Sequence, residues 1–172
     1  MMIVVMGVAG CGKSSVVQAL AERLGWPILE GDAFHPQSNK DKMAGGTPLT
    51  DADRWPWLDE IAAEMRRRDA AGENAVVACS ALKRAYRDRL RRGASDVRFV
   101  HLTGSRAVHE RRIRSRTGHF MPASMLDSQL ATLEAPGGDE TAIAVDIDQP
   151  LTSMVGQVLA WLERESPAGT PS

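Results

Sequence analysis

Met2-Ile3-Val4-Val5-Met6-Gly7-Val8-Ala9-Gly10-Cys11-Gly12-Lys13-Ser14 runs an uninterrupted apolar segment straight into the pattern G-x-x-x-x-G-K-[ST]. A strand feeding such a loop predicts a phosphate cradle for a nucleoside triphosphate. The glycines let the chain curl so that successive backbone N–H groups point inward, and the lysine charge can reach β- and γ-phosphates. Val16, Val17, Leu20 and Leu24 continue at helical spacing. The helix they predict would turn its unpaired N–H groups and positive dipole end toward the phosphates. Gly7, Gly10, Cys11, Gly12, Lys13, Ser14 and Ser15 are therefore the expected ATP-binding set, with Lys13 catalytic and Ser14 a ligand for Mg²⁺.

Working outward, four more short apolar runs punctuate the chain: Pro27-Ile28-Leu29, Ala75-Val76-Val77-Ala78-Cys79, Val97-Arg98-Phe99-Val100-His101-Leu102 and Ile143-Ala144-Val145-Asp146-Ile147. Helical patterns lie between them, over Asp53 to Ala70 (Trp57, Leu58, Ile61 and Met65 on one face, Thr50-Asp51 as cap candidates), Ala81 to Arg92, Arg106 to Arg116, Pro122 to Leu133 and Leu151 to Glu165. Alternating strands and helices predict a three-layer α/β/α sandwich on a five-stranded parallel sheet, with ligands at the carboxyl ends of the strands. The organisation expected is one kinase-type domain over 1–165, a short helical lid around 106–121, and a flexible tail over 166–172.

A chain of 172 residues, 43% hydrophobic, can bury a core of its own. A formal net charge of −1 argues against a nucleic-acid or membrane-surface protein as a whole. The N-terminal apolar run is too short to span a membrane and lacks a signal-peptide pattern, so the expected compartment is the cytoplasm. Two cysteines, Cys11 and Cys79, are too few for a disulfide framework or a zinc site. Both read as reduced and structural, with Cys11, beside a bound phosphate, the one open to oxidation.

The chemistry-bearing residues fall at the predicted strand ends. Asp32 follows the second strand, where a carboxylate can accept the proton of an acceptor hydroxyl or hold water in the Mg²⁺ shell. No acid follows the third strand, which strengthens Asp32 as the metal partner. His35 divides evenly between substrate contact and packing. Asn39 to Arg54 is polar and glycine-containing and reads as an irregular functional loop. Its Asn39-Lys40-Asp41-Lys42 lacks the N-K-x-D order of guanine recognition, which excludes a GTPase. Ser80, Lys83 and Arg87 are the candidates of the arginine-rich stretch after strand three, the remaining cations there forming a solvated face. Arg112 and Arg116, four apart, share a helix face next to Gly118 and suit a lid that neutralises transition-state charge, Arg116 being the catalytic one; Arg111 and Arg114 point elsewhere.

Taken together, the chain resembles the gluconate kinase family of the thermoresistant type, within the nucleoside-monophosphate-kinase-like fold. The resemblance rests on Gly31-Asp32-x-x-His35-Pro36, Asn39-x-x-Lys42-Met43, Gly46-x-Pro48-Leu49-x-Asp51-x-Asp53-Arg54-x-Pro56-Trp57-Leu58, Cys79-Ser80-Ala81-Leu82-Lys83-x-x-Tyr86-Arg87, Arg112-x-x-x-Arg116-x-Gly118-His119-Phe120, Gln129-x-x-Thr132-Leu133-Glu134-x-Pro136 and Asp146-Ile147-Asp148-Gln149-Pro150. It implies ATP-dependent phosphorylation of D-gluconate at O6 and a homodimer; Mg²⁺ follows from Ser14, and the absence of a nucleic-acid or membrane partner from the charge balance and the short apolar run. Gluconate, a polyol with a carboxylate, asks for hydrogen-bonding side chains and a cation. Asp32, His35, Asp53, Arg54, Ser80, Lys83 and Arg87 supply them, and the resemblance adds His119, Gln129 and Glu134. By resemblance alone, Asp148, Gln149 and Pro150 approach the adenine. A shikimate or nucleoside-monophosphate kinase of the same fold, and an RNA-associated nucleotide switch, are the competing functions.

Overall fold

The computed structural model describes residues 1–115 and 123–165. Five parallel strands, β1 (Met2–Met6), β2 (Ile28–Glu30), β3 (Ala75–Ala78), β4 (Val97–Thr103) and β5 (Ala142–Asp146), form one sheet in the order β2-β3-β1-β4-β5. Met2 pairs with Ala75 on one side and Val97 on the other, so β1 lies at the centre of the sheet. All five of its side chains are fully buried. They alternate, with Ile3 and Val5 entering one core cluster and Met2, Val4 and Met6 the other. Such burial is worth about 1.5–3 kcal/mol per large side chain, which explains why this run is apolar at every position rather than at every second one.

The first cluster packs α1 (Lys13–Leu24) and α7 (Leu151–Glu165) against the sheet through Val16, Val17, Leu20, Met154, Val155 and Val158. The second packs α3 (Asp51–Ala70) and α4 (Arg84–Arg91) through Trp57, Leu58, Ile61, Met65, Tyr86 and Leu90. The result is the expected three-layer sandwich. After β1 the chain visits β2 and β3 on one side and then crosses to β4 on the other. The crevice beyond the carboxyl end of β1 is therefore a topological switch point, the place where such sheets hold ligands.

Local structure departs from expectation in the region expected to be irregular. Gln37–Ala44 forms a helix, α2, and α3 begins at Asp51, so residues 45–50 alone are irregular between them. Thr50 starts α3 with a reciprocal capping box: its hydroxyl accepts from Asp53 N while the Asp53 carboxylate accepts from Thr50 N. Those bonds let α3 start at Asp51, two residues before the expected start at Asp53. Helix α4 starts at Arg84 rather than Ala81, because Ala81 has φ +44° and Lys83 is extended. Helices α5 (Arg106–Arg114) and α6 (Ala123–Thr132) complete the chain. The tail over 166–172, and the expected lid beyond residue 115 up to 121, lie outside the described residues. Among the described residues no helix is long and apolar enough to cross a membrane.

Candidate active site

Residues 7–12 leave β1 and return as α1 without any side chain capping that helix, so the N–H groups of its first turn stay available to a ligand. Gly7 is required here: at φ +144° a Cβ would stand 2.8 Å from Leu102 O and 2.9 Å from Cys11 Sγ. Lys13 Nζ donates to Gly7 O at 2.9 Å and Val8 O at 3.0 Å, folded back over the loop it would serve. Ser14 and Ser15 are exposed. Cys11 is fully buried, which removes the exposure that an oxidation-sensitive thiol needs and corrects that expectation.

From α5, the Arg112 guanidinium reaches this loop. Its Nη1 lies 3.2 Å from where a Gly12 Cβ would stand, and its Nη2 donates to Ile147 O at the end of β5. Arg111 pairs with Asp148 at 2.5 Å, an exposed contact that ties α5 to the 146–150 loop. Gln149 Nε2 donates to Asp146 O, and Pro150 O accepts from Met154 N at the start of α7. Among the described residues Arg114 pairs with Glu110, at 3.5 Å. Arg116 and His119 lie outside the described residues.

The acceptor half is built on β2 and β3. A 3-10 turn over Gly31–Phe34 follows β2, and Gly31 packs so close to β3 that a Cβ would fall 2.3 Å from Ala78 O. Gly31 O accepts from Trp57 Nε1 at 2.8 Å, clamping the turn to α3. Asp32 is thereby held exposed at the sheet edge, with no hydrogen bond or ion pair to its carboxylate among the described residues. The buried Cys79 thiol lies within electrostatic reach of both Asp32 and Lys13. Burial pushes that thiol up to about 12, so it stays protonated and leaves the charge there to its two neighbours.

His35 is buried and stacked on Trp57, ring centroids 4.2 Å apart and 15° from parallel. Asn39 Nδ2 donates one hydrogen to Asp53 O at 2.9 Å and the other to His35 Nδ1 at 3.2 Å. That assignment places the imidazole proton on Nε2. Burial lowers the His35 pKa, with Asp32 opposing and Arg54 and Lys40 reinforcing the shift. The ring is thus a neutral donor at pH 7.

Four further side chains interlock beside it. Lys83 Nζ reaches both Asp51 oxygens at 3.1 and 3.2 Å, Tyr86 donates to Asp51, and Arg54 Nη1 donates to Leu49 O at 2.7 Å and Tyr86 OH at 3.4 Å. Bonds from Tyr86, then Lys83, hold the Asp51 carboxyl below its ordinary range. Ser80 sits at the end of β3, its carbonyl accepting from Gly7 N at 3.2 Å, so the acceptor half meets the phosphate loop there.

Several expected substrate-binding side chains are engaged elsewhere. Asp53 is spent on the capping box and on Lys42, which binds both its oxygens at 2.7 and 2.9 Å and, with Thr50, holds its carboxyl down to about 2. Arg87 is entirely buried, bidentate to Glu140 at 2.7 and 3.0 Å, and donates to Ala81 O, Leu82 O and Glu134 O. It positions the loop carrying Ser80 and Lys83 instead of meeting solvent. The Glu134 carboxylate accepts from Arg84 N at 2.7 Å, a cap for α4, and Gln129 Oε1 accepts from Ala9 N at 2.6 Å, a contact on the phosphate loop. Sequence reasoning missed Asn39, Asp51, Tyr86 and Glu140 as parts of the site. Asn39, Asp51 and Tyr86 stand within the motifs that carry the family resemblance, but Glu140 carries no local signal at all.

Residues 2–136 match the family model described as AAA domain. The chain is 54% identical over 143 residues to a gluconokinase of Gluconobacter oxydans, covering 83% of this chain and 80% of that one. It is 42% identical to the thermoresistant gluconokinase of Escherichia coli, over 94% of this chain and 93% of that protein. The crystal structure of a gluconokinase from Sinorhizobium meliloti superposes with a TM-score of 0.86 at 54% identity, covering 95% of this chain and 91% of the other.

Proposed function

Because this chain belongs to the gluconokinase family, we propose that it transfers the γ-phosphoryl group of ATP to O6 of D-gluconate, giving 6-phospho-D-gluconate and ADP. The observation that carries the proposal is that Asp32, exposed after β2 with no partner among the described residues, and the phosphate-loop Lys13 after β1 both lie within electrostatic reach of Cys79 at the carboxyl end of the sheet. A loose phosphoryl-transfer transition state asks the protein for positioning and charge more than for covalent chemistry. Amides of the loop and the first turn of α1 take the phosphates, and Lys13 exchanges its bonds to Gly7 O and Val8 O for phosphate oxygens. Asp32 accepts the proton of the O6 hydroxyl as its oxygen attacks. Arg112, above Gly12, and Arg116 neutralise charge on the transferring group; Asp148, Gln149 and Pro150 border the adenine.

For the acceptor, Arg54 and Lys83 offer cations to the gluconate carboxylate. His35 Nε2–H, Ser80 and His119 serve its hydroxyls. The residues present suit Mg²⁺: Ser14 hydroxyl and Asp32 carboxylate are hard oxygen donors, and no group of three or more potential ligand side chains among the described residues would hold a metal without the nucleotide. When bound, Mg²⁺ neutralises phosphate charge. The family resemblance further supports a cytoplasmic homodimer, for which sedimentation of the full chain is the check.

The test of function is ADP formation with saturating MgATP and gluconate, glucose, shikimate or AMP in turn, followed by NMR location of the phosphate. Turnover with gluconate and phosphate on its terminal hydroxyl is expected. Glucose, lacking the carboxylate, should react far more slowly. Robust turnover of shikimate or AMP with none of gluconate would overturn the assignment.

A further inference from the structure

The His35 ring is held by two neighbours that constrain different things. Trp57 fixes its plane, stacked on it at 4.2 Å and 15°, and is itself anchored by Nε1–H to Gly31 O at 2.8 Å. Asn39 fixes the rotation within that plane, because its Nδ2 lies 3.2 Å from His35 Nδ1 and 2.9 Å from Asp53 O. The Asp53 carbonyl is the fixed point of the set. It belongs to the first turn of α3, held by the capping box with Thr50 and by the two bonds from Lys42. A carbonyl accepts and never donates, so Asn39 has to turn its NH₂ group, not its oxygen, to this side. The second hydrogen of that group then meets a ring nitrogen that must offer a lone pair. The proton of the neutral imidazole is thereby confined to Nε2. Turning the ring over would set the carbon Cδ2 against the amide and forfeit the bond.

His101 Nε2 and His109 Nδ1 are buried without a partner, whereas His35 Nε2 is neither buried to that degree nor bonded to any described residue, so it is the open edge of its ring. Charges from three elements act on the ring: Asp32 from the turn after β2, Arg54 from α3 and Lys40 from α2. Asp32 is the proposed proton acceptor, and Arg54 is a proposed partner of the gluconate carboxylate. The open edge therefore belongs to the acceptor half of the site. Resting on that reading of the acceptor site, we propose that Asn39 is a positioning residue, which locks His35 in the one tautomer and rotamer that offers a neutral N–H donor to a hydroxyl of the sugar acid. Asn39 itself acts only through the ring. A cationic His35 would also donate from Nε2, but its Nδ1–H would then confront the Asn39 NH₂ group, donor against donor.

The test uses the full chain and its Asn39→Ala, Asn39→Asp and His35→Phe variants, with the double variant Asn39→Ala, His35→Phe. ¹⁵N-resolved NMR of the imidazoles, with His35 identified among the four histidines by its loss in His35→Phe, should show a protonated Nε2 and a bare Nδ1 in the unaltered protein. Asn39→Ala releases the ring to exchange tautomers, so the gluconate KM should rise about 3- to 10-fold, the worth of one ordinary hydrogen bond, with kcat changed by less than about twofold. In the His35→Phe background the same change should add nothing to KM, since no ring is left to position. Asn39→Asp puts an acceptor where the donor stood and draws a proton to Nδ1, so Nε2 keeps its own proton only while the ring is cationic. Gluconate KM in that variant should climb at least about threefold from pH 7 to 9, while that of the unaltered protein stays level. A proton on Nδ1 in the unaltered protein would overturn the role of Asn39. So would an unchanged KM in Asn39→Ala, or an equal rise in KM in both backgrounds, the mark of a merely structural asparagine. These results stand on variants other than Asn39→Asp, so a failure of that one to fold leaves them decisive. Absence of gluconate turnover in the unaltered protein would instead overturn the functional reading and the acceptor role with it.

Discussion

Replacing Arg87 with Met should be among the most damaging single changes outside the phosphate loop, and its cost can be worked from the bonds the guanidinium makes. That group is fully buried and forms a two-pronged pair with an equally buried Glu140. It also donates to the carbonyls of Ala81, Leu82 and Glu134. Removing one partner of such a pair leaves an uncompensated buried charge, a loss of about 3–5 kcal/mol. Against a total stability of about 5–15 kcal/mol, that is severe. Glu140→Gln strands the buried Arg87 cation in turn, but the guanidinium keeps its three carbonyl acceptors and the Gly137 N–H retains an acceptor, so the loss should be somewhat smaller. In the double variant Arg87→Met with Glu140→Gln, the loss should be smaller than the sum, because neither charge is stranded. Urea unfolding followed by tryptophan fluorescence is the assay. With a denaturant slope of about 2 kcal/mol per molar, Arg87→Met should lower the midpoint by about 1.5–2.5 M. A shift below about 0.5 M at unchanged slope would refute the argument. The same variant should raise the gluconate KM, because Ala81 at φ +44° and the adjoining Lys83 lose the group that holds them.

Two other outcomes follow from the site and its buried rings. Asp32→Asn preserves shape and removes the proton acceptor, so kcat should fall by about 10²–10⁴ with little change in ATP affinity; a change confined to the gluconate KM would recast Asp32 as an orienting group. His35, His101 and His109 all have lowered pKa values, burial being the main cause in each, and His101 Nε2 and His109 Nδ1 are buried without a hydrogen-bond partner among the described residues. A neutral buried imidazole means the unfolded chain binds more protons just below pH 6.5, so stability must fall on acidification through that value. Each histidine contributes a slope of at most about 1.4 kcal/mol per pH unit. Tm measured from pH 7.5 to 5.5 should drop, and His109→Gln should flatten the drop; a Tm level across this range would refute the reading.

What was legible in the sequence is what local chemistry writes locally. The five apolar runs and the phosphate loop, each a contiguous signal, named the sheet and the nucleotide half. Thr50 and Asp51 announced a helix start, and the capping box at Asp53 fixes it. Helix α2 left no such trace, because Gln37–Ala44 is polar almost throughout and buries only Asn39, so no apolar period marks it.

The acceptor half was harder for a different physical reason. Helical spacing puts Lys83 and Arg87 on one face, which suggests that both reach one ligand. In the fold, Lys83 precedes the helix in an extended conformation, so the four-residue rule does not apply between them. Lys83 stays half-buried against Asp51, whereas Arg87 turns into the core toward a glutamate 53 residues away. An arginine's residue type announces a cation; whether that cation meets solvent or a buried carboxylate depends on a partner no local pattern names. The same holds for Asp53, a plausible hydroxyl acceptor until Lys42 and Thr50 use its oxygens. Asp32 is the instructive contrast. Gly31 presses its turn against β3, Trp57 clamps it, and no described cation reaches its carboxylate. A carboxylate held in place beside a phosphate loop, with no hydrogen-bond or ion-pair partner among the described residues, suits the proton-accepting role proposed for Asp32.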